Sequence, residues 1–217
     1  MPKNSASKTK PRPRSSLSRE AIVQAALRVV DEDGLDALTM RRIASELGAG
    51  VMSLYVYFRS KEDVIDALAD AVLAPIPLDT GSEADWREQI KELMRKIHQT
   101  LLAHPGINEI VVAESVPGQA LDGTREHALE ILHYAGFTTP DALEALGSIY
   151  GYVVGFSLLA ARDRRHDSGQ RPHPIDSAQF PRLASAFPHY DRRTSMNAFE
   201  QGLKHLVHGL EPSPPKR

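Results

Sequence analysis

Apolar residues recur every three or four positions along nearly the whole chain, the spacing that places them on one face of an α-helix. No stretch shows the strict alternation of apolar and polar positions that is typical of a half-buried β-strand. Glycine, proline and small polar residues interrupt the pattern and indicate where helices begin and end. The pattern predicts an all-α fold, with helices over about 19–33, 40–47, 51–57, 61–74, 86–103, 106–115, 119–135, 140–164, 177–187 and 193–209.

Residues 39–63, TMRRIASELGAGVMSLYVYFRSKED, contain two short predicted helices followed by the start of a third. Gly48 suits the left-handed residue that ends a helix, and Ala44 is small where two helices must cross closely. This layout predicts a helix-turn-helix, which lays its second helix in the major groove of DNA. The three-helix segment would form an N-terminal DNA-binding domain, followed by a larger C-terminal helical bundle.

Side chains in this segment offer both base and phosphate contacts. Thr39 begins a helix and can bond a phosphate, while Arg41 is long enough to reach a guanine edge. The start of the next helix exposes Val51, Met52 and Ser53 toward bases, where the two apolar chains could contact thymine methyls. We expect phosphate contacts from three further residues, Tyr55, Tyr57 and Lys61. The alternative for Leu54, Tyr55 and Phe58 is that they pack a three-helix core.

Charge is divided unevenly along the chain, although the net charge is only −2. Residues 1–62 hold 11 Lys and Arg against 7 Asp and Glu, and the remainder holds 15 against 21. A basic head on an acidic body suits a DNA reader with a separate second domain. Residues 1–16 are basic and rich in Ser and Pro, so we expect either a disordered arm that contacts DNA or a solvated tail.

The sequence offers little support for metal, redox or catalytic chemistry. It has no cysteine, which excludes disulfides and thiol catalysis and fits a reducing cytosol. The first residues contain no apolar signal region, so we expect a cytoplasmic protein. His205 and His208 lie three apart, but no third ligand is near them in sequence. We therefore expect no metal, no cofactor and no enzyme activity.

The segment 145–161, ALGSIYGYVVGFSLLAA, is almost entirely apolar and predicts a buried helix of the bundle. A membrane span is the alternative, but 17 residues is at the short limit for one. Gly147, Gly151 and Gly155 recur every four residues, which lets another backbone approach closely. The close packing would lie either within the bundle or across a homodimer interface. The last helix, with Phe199, Leu203 and Leu206, is the natural partner of the stripe in such an interface.

A small-molecule pocket would lie among the long helices of the body. Candidate linings combine apolar bulk with a few polar groups: Trp86, Met94, His98, Ile110, Tyr134, Tyr150 and Phe156. Plain core packing is the alternative for each of them. Glu114 lies in an apolar run and could pair with a cationic ligand, or it could simply face solvent.

Residues 18–73 resemble the N-terminal domain of the TetR-type (tetracycline-repressor-like) transcriptional regulators. The resemblance rests on DEDGLDALTMRRIASELG and LYVYFRSKEDVIDALAD, with matches at Leu54, Tyr55, Phe58, Ser60 and Lys61. Gly50 departs from the pattern, because many members have Ser or Thr there. The resemblance implies an all-α homodimer that binds operator DNA and carries an effector-binding C-terminal domain.

The C-terminal half also resembles the ligand domain of the tetracycline-repressor type, over DWREQIKELMRKIHQTLLAHPG, EILHYAGFTT and YGYVVGFSLLAA. No polar and histidine set reproduces a tetracycline–magnesium site, so that ligand is not predicted. The predicted division is a basic arm (1–16), a helix-turn-helix head (17–63), an effector-binding and dimerisation body (64–211, with a connecting helix at 64–74) and a tail (212–217).

The leading interpretation is a dimeric repressor that an unknown small-molecule effector releases from double-stranded operator DNA. The alternative is a helical small-molecule-binding protein that no longer reads specific DNA. The apolar residues at the start of the second short helix, Val51 and Met52, leave that alternative open.

Overall fold

The computed structural model describes residues 17–78, 85–112, 119–166 and 175–212, and within these ranges it contains helices and no strand. The predicted arm, Glu114 and most of the tail lie outside the described residues. The α-helices run in chain order as α1 (Arg19–Asp33), α2 (Met40–Leu47), α3 (Val51–Leu54), α4 (Lys61–Leu73), α5 (Trp86–Ala103), α6 (Pro105–Val112), α7 (Gln119–Tyr134), α8 (Thr139–His166), α9 (Pro181–Ala186) and α10 (Met196–His208). Short 3-10 helices cover Leu35–Ala37 and Phe187–Thr194.

Side-chain hydroxyl groups cap the starts of α1, α2, α4 and α10. In each case the side-chain oxygen accepts a hydrogen bond from the amide three residues later, which satisfies a donor that has no partner inside the helix. The pairs are Ser18 with Ala21, Thr39 with Arg42, Ser60 with Asp63, and Ser195 with Ala198. The predicted starts of the first, second and fourth helices are thereby confirmed.

Helix α3 is shorter than the sequence pattern predicts. It ends at Leu54, and the next residues form a turn in which the amides of Tyr57 and Phe58 both donate to the Leu54 carbonyl. Phe58 is buried, and a turn brings its ring into the core before Ser60 begins α4. The prediction of helix through Tyr57 was wrong because tertiary packing of Phe58 outweighs local helix preference.

Two other predicted bounds also differ from the structure. The helix expected near 177–187 begins only at Pro181, and a 3-10 helix follows it to Thr194. The last helix consequently starts at Met196 rather than near 193, with Ser195 as its cap. Proline at the second position of the 3-10 helix, Pro188, lacks the amide that a continuing α-helix would need.

The body is built around α5 and α8, which pack against each other along their lengths. The apolar stripe of α5 is fully buried, and each of its large residues contributes roughly 1.5–3 kcal/mol relative to exposure. α7 and α10 complete the bundle around this pair, while α6 lies between α8 and the first helix of the head. α4 runs from the head into the body and contacts α7 as well as α1.

The contact between α8 and α10 corrects part of the predicted dimer interface. Phe199 and Leu203 are both 0% exposed within one protomer, so neither side chain can reach a partner. The Tyr152 hydroxyl donates to the Phe199 carbonyl at 2.9 Å. A β-carbon on Gly202 would lie 2.1 Å from the Tyr152 hydroxyl oxygen, so glycine permits this close approach. Leu206 is partly buried against the same core.

The glycine stripe of α8 faces away from the protomer's core. Gly147, Gly151 and Gly155 are exposed, and a β-carbon on any of them would meet no atom within 4 Å. Leu143 and Leu159 extend this open face at the same four-residue spacing, and both are exposed. Residues 139–164 are long and apolar enough to cross a membrane by length and composition, a test that core helices of soluble proteins also pass.

Candidate functional site

The turn of the helix-turn-helix depends on a left-handed glycine. Gly48 follows α2 with φ of 61°, and its amide donates to the carbonyls of Ala44 and Ser45. Side chains other than glycine rarely adopt this conformation without strain, so the sequence provides the residue that the turn needs. Ala44 is buried, in agreement with its predicted place at a close helix contact.

Three exposed side chains form the tip of the head: Met52, Ser53 and Val56. Met52 is 78% exposed and Val56 is 82% exposed, which is unusual for apolar residues of this size. Val51, by contrast, is partly buried against the core and is less available for a base contact than predicted. Sequence reasoning missed Val56, because helix through Tyr57 was expected and the exposing turn has no motif of its own.

The arginines of the head divide into paired and unpaired groups. Arg42 donates to Asp33 at 3.1 Å and to Glu46 at 3.0 Å, and these bonds raise its pKa. Arg28 also reaches Glu46, at 3.5 Å. Arg41 is exposed and makes no hydrogen bond or ion pair with any residue that the structure describes. Arg41 is therefore the arginine of α2 that is available to a ligand outside the head.

Two helix starts on the head present groups suited to phosphate. The Thr39 hydroxyl accepts the Arg42 amide at 3.0 Å, which leaves the first amides of α2 directed outward. Lys61 begins α4 beside Ser60, whose hydroxyl caps that helix. Free amides and a cation near a helix start favour a bound anion. Tyr55, directly after α3, is also exposed.

Tyr57 makes an internal bond that the sequence did not suggest. Its hydroxyl donates to the Leu17 carbonyl at 2.7 Å, and Arg19 donates to the Tyr57 carbonyl at 3.0 Å. The Arg19 guanidinium also lies 4.1 Å from the centre of the Phe58 ring. Because a phenol has one proton, Tyr57 cannot donate to a phosphate while it holds Leu17. Its predicted phosphate contact thus requires this bond to break.

A polar junction joins the head to the body through α6. Asp31, at the end of α1, accepts the Gly106 amide at 3.2 Å and lies 3.1 Å from Nδ1 of His104. Glu109 accepts the Leu35 amide at 3.1 Å. We call Asp31, Leu35, His104, Gly106 and Glu109 the α6 junction. A movement of α6 cannot leave these contacts unchanged, so the junction connects the two parts of the molecule mechanically.

The predicted ligand residues do not converge on one cavity. Met94, His98 and Ile110 are each 1% exposed, so they pack in the core rather than line an open site. Tyr150 and Phe156 are partly buried against the same core. Of the predicted linings that the structure describes, Trp86 and Tyr134 line one cleft together, between the start of α5 and the end of α7.

His98 is a structural residue at the centre of the bundle. Its ring stacks on Phe199 at 3.8 Å between centroids, and Nδ1 lies 2.7 Å from the Ser157 hydroxyl oxygen. That hydroxyl donates to the Val153 carbonyl, so Nδ1 must carry the proton that it shares with Ser157. Burial, followed by the positive charge of Arg164, lowers the pKa of His98 to about 4. The imidazole is consequently neutral at physiological pH.

Comparison with known proteins places this architecture in a family. The sequence matches the family described as "Bacterial regulatory proteins, tetR family" over residues 22–68 and "Tetracyclin repressor-like, C-terminal domain" over residues 78–213. The chain belongs to the TetR family. As a TetR-family member it is a ligand-responsive, DNA-binding transcriptional regulator. The head and body described above correspond to the two matched regions.

Individual relatives agree with this assignment over most of their length. The tetracycline repressor protein class A from transposon 1721 of Escherichia coli is 34% identical over 90% of this chain and 91% of that protein. A crystal structure of a possible TetR family transcriptional regulator from Streptomyces coelicolor A3(2) superposes with a TM-score of 0.76 at 28% identity, covering 88% of this chain and 98% of that one. The Streptomyces coelicolor protein ActR in complex with actinorhodin superposes with a TM-score of 0.69 at 26% identity, covering 90% and 97%.

Proposed function

We propose that this TetR-family protein is a cytoplasmic homodimeric repressor whose two heads bind a two-fold operator and whose body binds a small-molecule effector. The observation that carries DNA reading is the free, exposed Arg41 beside the exposed tip of α3. Arg41 would contact a guanine edge, and Met52 and Val56 would contact thymine methyl groups. Thr39, Tyr55 and Lys61 would hold phosphates and fix the position of the head on the duplex.

The glycine face of α8 supports the dimer. Gly147, Gly151 and Gly155 leave an open, side-chain-free surface where a second α8 can approach closely. Two identical heads held by such an interface read two half-sites that are related by two-fold symmetry. Leu143 and Leu159 would extend the contact at either end, replacing the buried Phe199 and Leu203 of the original prediction.

Effector control would act through the α6 junction. An effector that binds one conformation of the body more tightly shifts the population toward it, by as much as the two affinities differ. Because α6 is bonded to α1 and to Leu35, a displaced α6 would change the angle of the head. The two heads of a dimer would then fail to fit successive major grooves.

The decisive experiment is a titration of labelled DNA from the region upstream of the protein's own gene, followed by fluorescence anisotropy. We expect saturable binding that weakens steeply between 50 and 200 mM salt, by about three decades or more, because phosphate contacts release counterions. An unrelated duplex of equal length serves as the control. Equal affinity for both duplexes, or no binding to either, would contradict sequence-specific repression.

A second candidate function is a helical small-molecule-binding protein that does not read a specific DNA sequence. The largely apolar tip, with Met52 and Val56 as its most exposed residues, is the observation in its favour. Linkage separates the two functions, since an effector that weakens operator binding must itself bind less tightly in the presence of operator. Effector affinity that is unchanged by saturating operator would support this second function.

A further inference from the structure

A cleft of about 510 Å³ lies between the start of α5 and the end of α7. Its volume falls within the range of small-molecule sites in proteins. The cleft combines aromatic, apolar and polar side chains: Trp86, Gln89, His127, Glu130, Ile131 and Tyr134. None of these residues belongs to the DNA-binding head or to the α6 junction.

Two aromatic rings provide the walls of the cleft. Trp86 is partly buried and is held in place by the edge of the Phe137 ring, with 5.4 Å between centroids, and by the Arg87 guanidinium 4.3 Å from its own ring centre. Tyr134 is 83% exposed, so its ring has little protein packed around it. A fixed indole, an exposed phenol and the apolar side chain of Ile131 in one lining suit a flat apolar ligand that contacts both rings.

One nitrogen of the cleft has an unsatisfied hydrogen-bonding capacity. Nε2 of His127 is buried and has no hydrogen-bond partner among the described residues. Nδ1 of the same ring lies 3.6 Å from Glu130 Oε2, and the tautomer that carries its proton on Nδ1 turns that proton toward the carboxylate. In that tautomer Nε2 is a buried acceptor without a donor, and leaving such a group unpaired is costly. A ligand N–H would remove that cost.

The charge of the cleft favours a cation. Glu130 is its charged carboxylate, and a neighbouring cleft of about 590 Å³ shares Glu130 and Tyr134 and adds Glu126. No lysine or arginine is among the residues that line either cleft within the described part of the chain. A positively charged ligand would therefore meet the Glu130 carboxylate at the rim; the Arg87 guanidinium lies against the Trp86 ring but is not among the lining residues.

We propose that the α5–α7 cleft is an effector site for a planar aromatic amine that carries a positive charge. The flat ring system contacts Trp86 and Tyr134, an amino N–H donates to Nε2 of His127, and the charge pairs with Glu130. The assignment deepens the proposed function by naming the class of effector, and its regulatory meaning rests on that function.

The test uses the protein's own fluorescence, because Trp86 is the single tryptophan of the chain. Proflavine, a planar diamino cation, is titrated into the full-length protein without DNA while the tryptophan emission is recorded. We expect saturable quenching, and weaker binding of the planar anion anthraquinone-2-sulfonate. The variant Glu130→Gln should bind proflavine roughly threefold to tenfold more weakly, whereas the matched variant Glu32→Gln in the head should bind like the parent.

Two further variants check the walls and the acceptor. Tyr134→Ala alters an exposed residue and leaves folding intact, and His127→Leu removes the acceptor at similar volume; each should weaken proflavine binding several-fold. Quenching that is absent, or that is equal in the Glu130→Gln, Tyr134→Ala and parent proteins, would overturn the site. Because the DNA titration is independent of proflavine, failure of the cleft is distinguishable from failure of the repressor function.

Discussion

Adjacent arginines on α2 differ in their surroundings, because Arg42 is paired inside the head and Arg41 is not. We expect Arg41→Ala to weaken operator binding by about 10-fold to 100-fold and to flatten discrimination at one base pair, with an unchanged melting temperature. Arg42→Ala is the matched control, since its ion pairs with Asp33 and Glu46 are internal. Fluorescence anisotropy measures the affinity of each variant for operator DNA and for mutated operator DNA. If Arg41→Ala and Arg42→Ala lost affinity equally, Arg41 would have no base-reading role.

A single histidine makes stability depend on pH. The pKa of His98 falls from 6.5 to about 4 on folding. Between pH 4 and pH 6.5 the imidazole is therefore protonated in the unfolded chain and neutral in the folded one. The contribution of neutral His98 to the free energy of unfolding is fully present above about pH 6.5. It is lost as the pH falls toward 4, and the loss is about 3 kcal/mol at most. Urea unfolding of the parent and of His98→Phe at several pH values measures this. The variant keeps a ring on Phe199 but has no proton to gain, so a slope identical to the parent's would exclude His98 as the cause.

Residue-level contacts were predictable where the partner is close in sequence. Ser18, Thr39 and Ser60 were correctly predicted as caps because each bonds an amide three residues away. Tyr57 and Phe199 were not, because their partners Leu17 and His98 lie 40 or more positions distant and no local pattern indicates them. A long-range contact depends on how the helices pack, which single-residue preferences do not encode.

Helix α6 packs against α1 so closely that there is no room for a side chain at Gly106. A β-carbon on Gly106 would lie 2.2 Å from Val30 Cγ1 and 2.7 Å from the Val30 backbone. Gly106→Ala should therefore lower the free energy of unfolding, by about 1–3 kcal/mol. Gly123→Ala on α7 is the matched control, because its β-carbon meets no atom within 4 Å. There, alanine should stabilise the helix by roughly 0.5–1 kcal/mol, and thermal unfolding that ranks the two variants oppositely would contradict this account.

Two backbone amides of the α6 junction, those of Leu35 and Gly106, are bonded to different carboxylates. Their protection from hydrogen exchange therefore reports the two contacts separately. Glu109→Ala removes the acceptor of the Leu35 amide and should speed hydrogen exchange there, with a smaller effect at Gly106. Asp31→Ala removes the acceptor of the Gly106 amide and should give the opposite pattern. Both variants should also reduce the effect of any effector on operator affinity. Unchanged effector control in the double variant would mean that coupling travels through α4 instead.

Several element bounds were predicted correctly from a capping residue or a helix breaker in the sequence. The start of α4 after Ser60 and the end of α2 at Gly48 are examples. The end of α3 carries no such mark, because the turn at Tyr55 arises from burial of Phe58 rather than from a glycine or proline. The helix-turn-helix was predictable from such marks. The cleft between α5 and α7 was not predicted, although two of its lining residues, Trp86 and Tyr134, were among the candidates.

The assembled molecule depends on a face that one protomer leaves open. Gly151→Lys on α8 should fold normally, because a side chain there meets nothing within the protomer, yet it would place a charge at the centre of the proposed dimer contact. We expect sedimentation to show a monomer and operator affinity to fall by at least tenfold, since one head alone would bind a half-site. Gly123→Lys on α7 is the control. A dimer of unchanged stability in Gly151→Lys would place the interface elsewhere.

At the scale of the whole molecule the sequence predicted the family and a DNA-binding head with a separate body. It did not predict which apolar surfaces remain exposed in one protomer. Phe199 and Leu203 looked like interface residues because they are apolar and regularly spaced on the last helix. The same pattern also describes a helix buried in its own core, and the structure shows that this is where they lie. The glycines, which add no side chain to the core, were the more reliable guide to the outer face.

The exposure of the tip has a consequence for how such a regulator changes over generations. Arg41, Met52, Ser53 and Val56 contribute little to the folded state, because they extend into solvent from a framework that Phe58, Leu54 and Gly48 hold in place. Substitutions at these four positions are therefore nearly neutral for folding and free to alter which bases are preferred. Descendants of this protein could acquire new operators without altering the body that senses the effector.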